Sequence, residues 1–583
     1  MKVLGISAYF HDAAAALVVD GVVVAAAQEE RFSRQKHDAR VPVLAARFCL
    51  EEAGLTMADV DHVVFYEKPL QKFDRILVQG LRHFPRSLPQ LTGALRTWLT
   101  DRLWLKADLC RKLGCSPQQL LFTEHHLSHA ASSFLTSPHQ RAAILTVDGV
   151  GEWTTTAIHH GITDGNGTHI TPIKELHFPH SIGLLYSAIT AYLGFEVNEG
   201  EYKVMGLASY GEPTFLEQFN QLARVDDDGA LTLDLQYFRF HTHTHQSFSP
   251  ALEQLLGPAR QPGARLDLPP LRDEDTRFAN IAASLQRFTQ DYLITLARHA
   301  REVTGEDVLC LAGGVALNCV ANQHIAAAGL FGAVVAPPAP GDAGGAVGAA
   351  LWVTHGIHGL PRSTTATSPF LGKAWPGQGI SRTLDHWRVA HERFDGDAAL
   401  FGAVAERLAR GEVGGFHRGR FEWGPRALGA RSILADARDA GMKERINRKI
   451  KFREPFRPFA PAVLAQDAQK FFEPGNGADD ALTPLMLTVR EVTPLGRQTL
   501  PSITHVDGTA RVQVVEEGVH PDLFALLTAF RARTGVGALL NTSLNLKDEP
   551  LASSPAESYA VFARSDLDFL VLENCLITRT EAA

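Results

Sequence analysis

The sequence lacks any uninterrupted apolar run of about 18 residues, the length that a membrane-spanning helix needs. Its N-terminal segment, MKVLGISAYFHDAAAALVVDG, is interrupted by His11, Asp12 and Asp20, so it makes a poor signal peptide. We therefore expect a cytoplasmic location and no membrane partner.

Cysteine is scarce, with six residues among 583, and none of them form a CxxC pair. This usage suits a reducing compartment and gives no reason to predict a disulfide framework or a cysteine metal site.

The chain also lacks a general positive charge: its net charge is -8, which argues against a nucleic-acid partner. The length predicts two to four domains of an ordinary globular protein.

One segment reverses the sign of the charge. Between His417 and Pro458 there are twelve Lys and Arg residues against five Asp and Glu, or about +7. Gly, Pro and apolar residues alternate with these bases, which is typical of a folded pocket. Because Arg binds phosphate and carboxylate groups in a bidentate fashion, we interpret the segment as a site for a nucleotide and an acyl phosphate. The alternative is a helix surface with ordinary ion pairs.

Two stretches share one pattern of strands. The first predicts strands at Val3 to Ser7, Ala13 to Val19 and Val22 to Ala27, and the second predicts three more between Ala142 and Leu176. The repeat indicates an internal duplication. Ribonuclease-H-like halves of the actin, sugar-kinase and Hsp70 type are built this way, so we predict an α/β fold that clamps a nucleotide.

Two glycine-rich corners follow the second repeat. A strand at Asp307 to Leu311 leads through Gly313-Gly314 into a helix predicted at Ala316 to Ala328, and Pro338 to Trp352 is a second corner that enters a helix of small residues. Backbone N–H groups at such corners bind phosphate.

The domain boundary is expected where Gly, Pro, Ser and Thr concentrate, in residues 355–380. We assign residues 1–360 to an N-terminal domain, 361–390 to a linker region and 391–583 to a C-terminal domain.

A candidate metal site begins with His125 and His129, which lie four apart on one face of a predicted helix, while the adjacent His126 points elsewhere. Asp148, at the end of a strand, and Asp342, in the second glycine-rich corner, are the expected carboxylate ligands. Two imidazoles with one or two carboxylates suit Fe(II), Mn(II) or Zn(II). The alternative is a set of surface and capping histidines.

A second histidine run, HTHTH at His241 to His245, alternates with the period of a strand. No carboxylates complete it as a metal site. We interpret it as a surface strand or part of an acceptor pocket.

Motifs along nearly the whole chain, in order, resemble those of the NodU/CmcH-type O-carbamoyltransferases, which modify antibiotics and nodulation factors. In the N-terminal part these are FHDAAAAL, EHHLSHAASSF, LTVDGVGEW, GEYKVMGLASYG, GGVALN and PGDAGGAVGAA. In the C-terminal part they are GRFEWGPRALGARSILADAR, KIKFREPFRPFAPAV, SITHVDGTARVQVV and NTSLN.

The resemblance implies an ATP-dependent O-carbamoyltransferase with two sites. The C-terminal domain, similar to the YrdC-type fold, would make carbamoyl-adenylate from carbamoyl phosphate and ATP with Mg²⁺. The N-terminal domain, similar to the actin-like tRNA threonylcarbamoyl transferase, would pass the carbamoyl group to a hydroxyl of a small-molecule natural product such as a sugar, a macrolide or a polyketide.

The resemblance also implies roles for individual residues. His11 would be the general base and Asp12 would orient it, while His125, His129, Asp148 and Asp342 would hold Fe(II) or a similar ion. The residues expected to line the nucleotide are Glu201, Lys203, Gly206, Gly313, Gly314 and Asn318. Those expected to hold phosphates are Lys451, Arg511, Ser543 and Asn545, with Arg418, Arg420, Arg426 and Arg431 nearby. Lys547 stands where relatives commonly carry Arg-Gly, and we expect it to act as a cationic substitute.

Three other interpretations remain open. A threonylcarbamoyl-adenylate-type tRNA modification enzyme would need a basic strip outside the pocket, whereas the bases of the N-terminal domain look scattered. A non-catalytic actin-like nucleotide-binding protein has no need of a cationic second domain. A sugar kinase leaves residues 400–583 unexplained. The acceptor and the oligomeric state depend on loops and surfaces whose shape the sequence does not define.

Overall fold

The computed structural model describes residues 1–100, 102–264, 266, 271–454 and 456–579. Its residues divide into two compact units. The first unit contains residues 1–29 and 37–367, and the second unit contains residues 30–36 and 368–583. A short piece near the N-terminus thus belongs with the second unit.

The strands of the first unit alternate with helices along the chain. Its strands are β1 (Lys2–Ser7), β2 (Ala14–Val19), β3 (Val22–Gln28), β4 (His62–Phe65), β5 (Leu120–Phe122), β6 (Arg141–Val147), β7 (Thr154–Asp164), β8 (Gly167–His177), β9 (Ala223–Val225), β10 (Leu231–Leu233), β11 (Val308–Ala312) and β12 (Ala333–Val335). The helices up to residue 367 are α1 (Glu30–Ser33, in the second unit), α2 (Val43–Glu52), α3 (Pro69–Arg82), α4 (Leu88–Thr100), α5 (Leu105–Leu113), α6 (His125–Phe134), α7 (Ile182–Tyr192), α8 (Glu201–Ala208), α9 (Leu216–Leu222), α10 (Pro250–Leu256), α11 (Asp273–Thr304), α12 (Cys319–Ala327) and α13 (Asp342–Leu351).

Two five-stranded sheets of the first unit have the same topology. Their strand orders are β3-β2-β1-β4-β5 and β8-β7-β6-β11-β12. In each sheet the first three strands of this order pair in an antiparallel manner. The fourth strand (β4 or β11) pairs in parallel with the third (β1 or β6), and the fifth (β5 or β12) pairs in parallel with the fourth. The predicted duplication is therefore confirmed, and with it the α/β fold class with two ribonuclease-H-like halves of the actin type.

Helix α13 is fully buried, and seven of its ten residues are Gly or Ala. It lies against α6 and β1 at backbone distance: a Cβ at Gly348 would collide with the carbonyl oxygen of Ser128, and a Cβ at Gly5 would collide with that of Ala346. Only glycine permits this approach. Because α13 begins at Asp342, the contact brings that carboxylate to the histidine helix α6.

The second unit is built around one mixed sheet. Its strands are β13 (Glu392–Arg393), β14 (Gly414–His417), β15 (Arg431–Asp436), β16 (Ala460–Leu464), β17 (Arg490–Glu491), β18 (Thr509–Ala510), β19 (Gln513–Val515), β20 (Ala538–Ser543), β21 (Phe569–Leu572) and β22 (Cys575–Thr578). Its remaining helices are α14 (Gly377–His386), α15 (Asp397–Ala409), α16 (Met442–Ile446), α17 (Ala465–Phe471), α18 (Pro494–Thr499), α19 (Pro521–Thr534) and α20 (Pro555–Ala563).

Eight strands form that sheet, in the order β13-β22-β21-β14-β15-β20-β16-β19. Alternate residues of the central strands feed two apolar cores: Ile433 and Leu540 enter one, and Leu434 and Leu539 enter the other, together with α15 and α19. The likeness of this unit to the YrdC-type fold stays a prediction.

Two segments differ from their expected local structure. Within the expected linker, α14 forms because Ile380 and Leu384, four residues apart, are buried in a core of the second unit. The HTHTH run forms turns instead of the expected strand, which corrects that prediction: the N–H groups of Thr242 and His243 both donate to the carbonyl of Arg239. In the part of the chain that the structure describes, no helix is long and apolar enough to cross a membrane.

The contact between α13 and α6 can be tested with Gly348→Ala. The added methyl group has to push the two helices apart, so we expect the free energy of unfolding of the first unit to fall by about 1–3 kcal/mol. Calorimetry should show the loss. Gly93→Ala is the matched control, because this helical glycine in α4 faces open space. Alanine there is expected to be neutral or to stabilise by up to about 1 kcal/mol. Equal behaviour of the two variants would contradict the role of the contact.

Candidate functional site

Four side chains from three elements of the first unit meet in a cluster. His125 and His129 come from the first two turns of α6, Asp148 follows β6, and Asp342 is the first residue of α13. Their nearest ligand atoms all lie within 4.8 Å of one another. The Nε2 atoms of the two histidines are 3.1 Å apart, and the Nε2 of His129 is 2.9 Å from Asp148 Oδ2 and 3.4 Å from Asp342 Oδ1. The structure thus brings together the four predicted metal ligands.

The chemistry of the cluster fits a divalent cation. Both histidines and Asp342 are almost fully buried, so they are not the surface histidines of the alternative interpretation. Buried Nδ1 atoms of the two histidines and Oδ2 of Asp342 have no hydrogen-bond partner among the described residues. Unpaired buried polar atoms are costly unless something else binds the group. Two imidazoles and two carboxylates are a ligand set that Fe(II), Mn(II) and Zn(II) accept.

Without a cation, a proton holds the same groups together. Burial lowers the pKa of His129, but hydrogen bonds to Asp148 and Asp342 and their charges outweigh it and raise that pKa to about 9. Burial raises the pKa of Asp148, yet His125 and His129 hold it well below its usual range. The two carboxylates therefore attract positive charge to this point.

Two neighbours of the cluster fix the orientation of α6. His126 points away, as predicted, and its Nδ1 lies 2.7 Å from the hydroxyl of Thr146. The buried carboxylate of Glu152 accepts hydrogen bonds from the backbone N–H of His125 (3.0 Å) and of Lys68 (2.7 Å). Glu152 therefore stabilises the N-terminus of the histidine helix. Sequence reasoning missed it, because its partners are distant in the chain.

His11 and Asp12 form a small hydrogen-bonded group with His37. The carboxylate of Asp12 lies 3.0 Å from His11 Nδ1 and 2.8 Å from His37 Nδ1. Asp12 and His37 both have φ of 53°, a backbone strain that often accompanies functional sites. Burial lowers the pKa of His11, but Asp12 and the charges of Asp342 and Asp148 raise it to about 9. His11 thus lies within electrostatic range of the metal-ligand carboxylates. His37 was not predicted, because no spacing links it to Asp12.

The Gly313-Gly314 turn lies against the end of β6, where Asp148 follows Val147. Gly313 has φ of 90°, and a Cβ there would collide with the carbonyl oxygen of Val147. A Cβ at Gly314 would lie 3.1 Å from Asp148 Oδ1. Two of the predicted nucleotide-lining residues therefore border the candidate metal site.

The other predicted nucleotide-lining residues have structural partners. Glu201, Lys203 and Gly206 all lie on α8, which begins at Glu201. The carboxylate of Glu201 accepts hydrogen bonds from Ser187 Oγ (2.8 Å) and from the N–H of Asn198 (3.1 Å). Asn318 caps α12 and exchanges two amide hydrogen bonds of 3.0 Å with Gln286. This cap is why the helix expected from Ala316 begins at Cys319, after a 3-10 turn.

In the second unit, Lys451 lies in a cage of oxygen atoms. Its buried Nζ donates to the carbonyl and hydroxyl of Ser543 and to the carbonyl (2.9 Å) and side-chain Oδ1 (2.6 Å) of Asn545. No carboxylate forms an ion pair with Lys451 among the described residues. Burial and the charges of Arg453 and Arg457 hold its pKa well below the usual range. The structure brings these three predicted phosphate-binding residues together.

Further cations extend this pocket. Burial and the charge of Arg453 lower the pKa of Lys443. Burial is the first cause that lowers the pKa of His505 to about 4, and the charges of Arg511 and Lys443 act in the same direction. Lys443, Arg453, Arg457 and His505 were not predicted site residues, because their proximity to Lys451 arises from the fold. We name the set formed by Lys443, Lys451, Arg453, Arg457 and Arg511 the cationic pocket, and His505, with its pKa of about 4, is a neutral neighbour of that set.

Three of the predicted arginines serve the fold instead. Arg431 is completely buried and donates to four backbone carbonyls, and burial lowers its pKa to about 10. Arg418 pairs with Asp522 (2.9 Å) and Asp397 (3.0 Å), and Arg420 donates to two backbone carbonyls.

Other bases of the segment behave as the alternative interpretation expected. Arg438, Arg445 and Arg448 each form an ordinary ion pair. Lys547 is exposed, and Arg426 is partly buried. The net charge of the segment therefore overstated the number of bases that face a ligand.

A duplicated actin-like fold with a buried His/Asp cluster, joined to a unit with a cationic pocket, defines a two-part enzyme. The family descriptions "Carbamoyltransferase N-terminus" and "Carbamoyltransferase C-terminus" match residues 2–351 and 405–579. The chain belongs to the carbamoyltransferase family and is an enzyme that transfers a carbamoyl group.

Relatives match over most of their length. Nodulation protein NolNO of Sinorhizobium fredii is 36% identical over 99% of this chain and 80% of that protein. An uncharacterized protein of Synechocystis is 43% identical over 99% of this chain and 97% of that protein. Nodulation protein U of Rhizobium tropici is 29% identical over 94% of this chain and 91% of that protein.

Solved structures give looser matches. HypF of T. kodakarensis has a TM-score of 0.31 with 16% identity, covering 62% of this chain and 48% of that one. The activator of the 2-hydroxyisocaproyl-CoA dehydratase from Clostridium difficile has a TM-score of 0.29 with 13% identity, and the match covers 61% of this chain and 94% of that one. No functional conclusion rests on these two matches.

The metal site predicts a clear result for substitutions in α6. His125→Ala and His129→Ala each remove one of four ligands, so metal affinity should fall by about 10²-fold or more, beyond the range of outer-shell losses. Elemental analysis of purified protein should find about one transition-metal ion per chain in the wild type. His126→Gln is the control, because this buried neighbour lies outside the cluster. Full metal retention in the His125→Ala/His129→Ala double variant would rule the site out.

Proposed function

We propose that the enzyme carries out ATP-dependent O-carbamoylation in two half-reactions, one in each unit. In the first, carbamoyl phosphate loses its phosphate to water, and the carbamate attacks the α-phosphate of ATP. The products are carbamoyl-adenylate, inorganic phosphate and pyrophosphate. In the second, an acceptor hydroxyl attacks the carbamoyl carbon, AMP leaves, and the hydroxyl proton passes to a base.

Adenylate formation is assigned to the cationic pocket of the second unit. ATP, with its Mg²⁺, and carbamoyl phosphate bring several negative charges together, and their repulsion has to be offset before attack. Lys451 sits among other cations without a carboxylate partner, so an incoming phosphate would relieve the repulsion between them. Ser543 and Asn545 already hold the Lys451 ammonium group in place. Preorganised charge of this kind is the main source of stabilisation for such transition states.

Carbamoyl transfer is assigned to the first unit. When bound by His125, His129, Asp148 and Asp342, a Fe(II)-type ion supplies a positive charge that can hold the phosphate of the adenylate. His11 accepts the proton of the acceptor hydroxyl at Nε2, because its Nδ1 faces Asp12.

The basicity of His11 depends on the neighbouring charges. A histidine with a pKa of about 9 is protonated at neutral pH and cannot accept a proton. The carboxylates of Asp148 and Asp342 contribute to that value. A cation held by these carboxylates would offset their charges and so would lower the pKa of His11 toward the range in which a general base works best, while the hydrogen bond to Asp12 would remain.

Asp12 has a second contact that supports the assignment. It holds His11 with one oxygen and His37 with the other, so both imidazoles are oriented by one carboxylate. Without His37, the carboxylate is free to rotate away from His11. His37 is therefore proposed as a positioning residue for the base.

The acceptor is proposed to be a hydroxyl of a small-molecule natural product such as a sugar, a macrolide or a polyketide. One observation supports the two-part scheme most strongly: the His/Asp cluster lies entirely within the first unit, and the cationic pocket lies entirely within the second. Each unit therefore has its own set of reactive groups.

The half-reactions predict opposite defects in two groups of variants. Lys451→Ala and Arg511→Ala should slow pyrophosphate release by about 30- to 1,000-fold, because lost charge-assisted contacts to phosphate cost roughly 2–4 kcal/mol. Both variants should still release AMP from preformed carbamoyl-adenylate in the presence of glycerol as a surrogate acceptor. His11→Ala and His125→Ala should form the adenylate and fail to discharge it.

Arg448→Ala provides the matched control, because Arg448 is an exposed base of the same segment and forms a surface ion pair with Glu444. It should behave as the wild type in both assays. The division into two sites is wrong if His11→Ala abolishes pyrophosphate release. It is equally wrong if Lys451→Ala stays inactive with preformed adenylate.

A further inference from the structure

A basic segment lies in the first unit, in the connection between β4 and β5. Residues 68–112, which contain α3, α4 and α5, hold ten Lys and Arg residues against three Asp, or about +7, in a chain whose net charge is -8. The bases of this unit are therefore not scattered evenly, as they looked in the sequence. The proposed carbamoyl transfer uses none of these helices.

The same segment exposes large apolar side chains. Among the described residues, eight of the nineteen large apolar side chains that are exposed belong to it. The most exposed are Leu70, at 72%, and Trp104, at 66%. Contiguous exposed apolar surface on a soluble protein marks a site of interaction.

The helices are anchored on their inner side. Arg75 of α3 is buried and donates to the carbonyl of Gly151 (3.0 Å), and Phe73 packs on Trp98 of α4 with ring centroids 4.9 Å apart. A Cβ at Gly80 of α3 would lie 2.6 Å from the side chain of Leu91, so the two helices are in close contact. The segment is therefore a fixed platform.

The outer side of the platform combines apolar and basic residues. Leu70, Val78 and Leu81 project from one side of α3, because their spacing places them within an arc of about 90° around the helix axis. Leu88 and Leu99 are eleven residues apart on α4, which also places them on one side.

Charged side chains border these leucines. Arg82, Arg86, Arg96 and Lys106 are exposed, and none of them forms an ion pair within the described part of the chain. By contrast, Lys72 of α3 is paired with Glu67. These four bases give the outer side of the platform a positive charge.

We propose that this platform docks on the surface of an anionic lipid bilayer. Helices with apolar residues on one side and Lys and Arg beside them lie in the bilayer interface, where the leucine and aromatic side chains enter the acyl boundary and the bases contact phosphate headgroups. The enzyme would be a peripheral protein, which agrees with the absence of a spanning helix among the described residues.

Other occupants fit less well. A second copy of the chain would bring two positive surfaces together in a symmetric interface, and like charges would oppose it. RNA would engage the arginines but would leave the exposed leucines in water, since its phosphates gain nothing from aliphatic side chains. A bilayer of anionic lipids satisfies both kinds of residue.

The test is flotation of the full-length protein with vesicles of phosphatidylcholine alone or of phosphatidylcholine mixed with phosphatidylglycerol, whose headgroup is anionic. We expect binding to the anionic vesicles, weak binding to the neutral ones, and loss of binding at high salt. Arg82→Glu/Arg86→Glu should weaken binding by roughly 25-fold or more, because each basic residue at an anionic surface contributes about fivefold. Leu81→Glu should weaken it as well.

Arg298→Glu and Leu495→Glu are the matched controls, because both residues are exposed on helices that are not part of the platform. They should bind as the wild type does. All variants change exposed residues, and calorimetry checks that they are folded.

Four outcomes would overturn the proposal. The first is no binding to anionic vesicles, and the second is equal binding by the platform variants and the controls. The third is a dimer in sedimentation that Leu81→Glu dissociates, without vesicle binding. Binding of RNA that depends on Arg82 but not on Leu81, again without vesicle binding, would also contradict it.

Discussion

The backbone contact between α13 and α6 sets the geometry of the first unit. Glycine at position 348 lets α13 approach α6 so closely that Asp342 lies within 3.4 Å of His129. A larger residue would move the carboxylate away by more than the tolerance of a metal site, which is a fraction of an ångström. The metal ligands, the nearby carboxylate charges and the proposed basicity of His11 all depend on this one contact.

The second unit solves a different physical problem. It buries Lys451 beside Arg453 and Arg457, and among the described residues Lys451 forms no ion pair with a carboxylate, although buried bases are normally paired. The second unit can tolerate this buried ammonium group because other arginines bind the carbonyls and carboxylates of the unit itself. Arg431 and Arg418 hold the loops of the sheet in place, so Lys451 stays fixed until an anionic substrate binds. The cost in stability is what makes the pocket receptive to phosphate.

Local patterns predicted a large part of this structure. The duplicated strand order and the cluster of four candidate metal ligands followed from hydrophobic runs, from the spacing of His125 and His129, and from carboxylates at strand and helix ends. Tertiary contacts explain what was missed. His37 meets Asp12 only through folding, Arg431 looked like a ligand until its burial was known, and the apolar residues of the platform look like core residues in a sequence. Net charge indicates a basic segment but does not tell which bases face a substrate.

The most direct test of the account is exchange of labelled pyrophosphate into ATP by the full-length enzyme without any acceptor. If the second unit forms carbamoyl-adenylate, its reversal should incorporate the label into ATP, and the incorporation should require carbamoyl phosphate. Labelled ATP should yield carbamoyl-adenylate and pyrophosphate, with little ADP, because attack falls on the α-phosphate. Formation of ADP alone, with no exchange, would contradict the adenylate route and favour a kinase reaction.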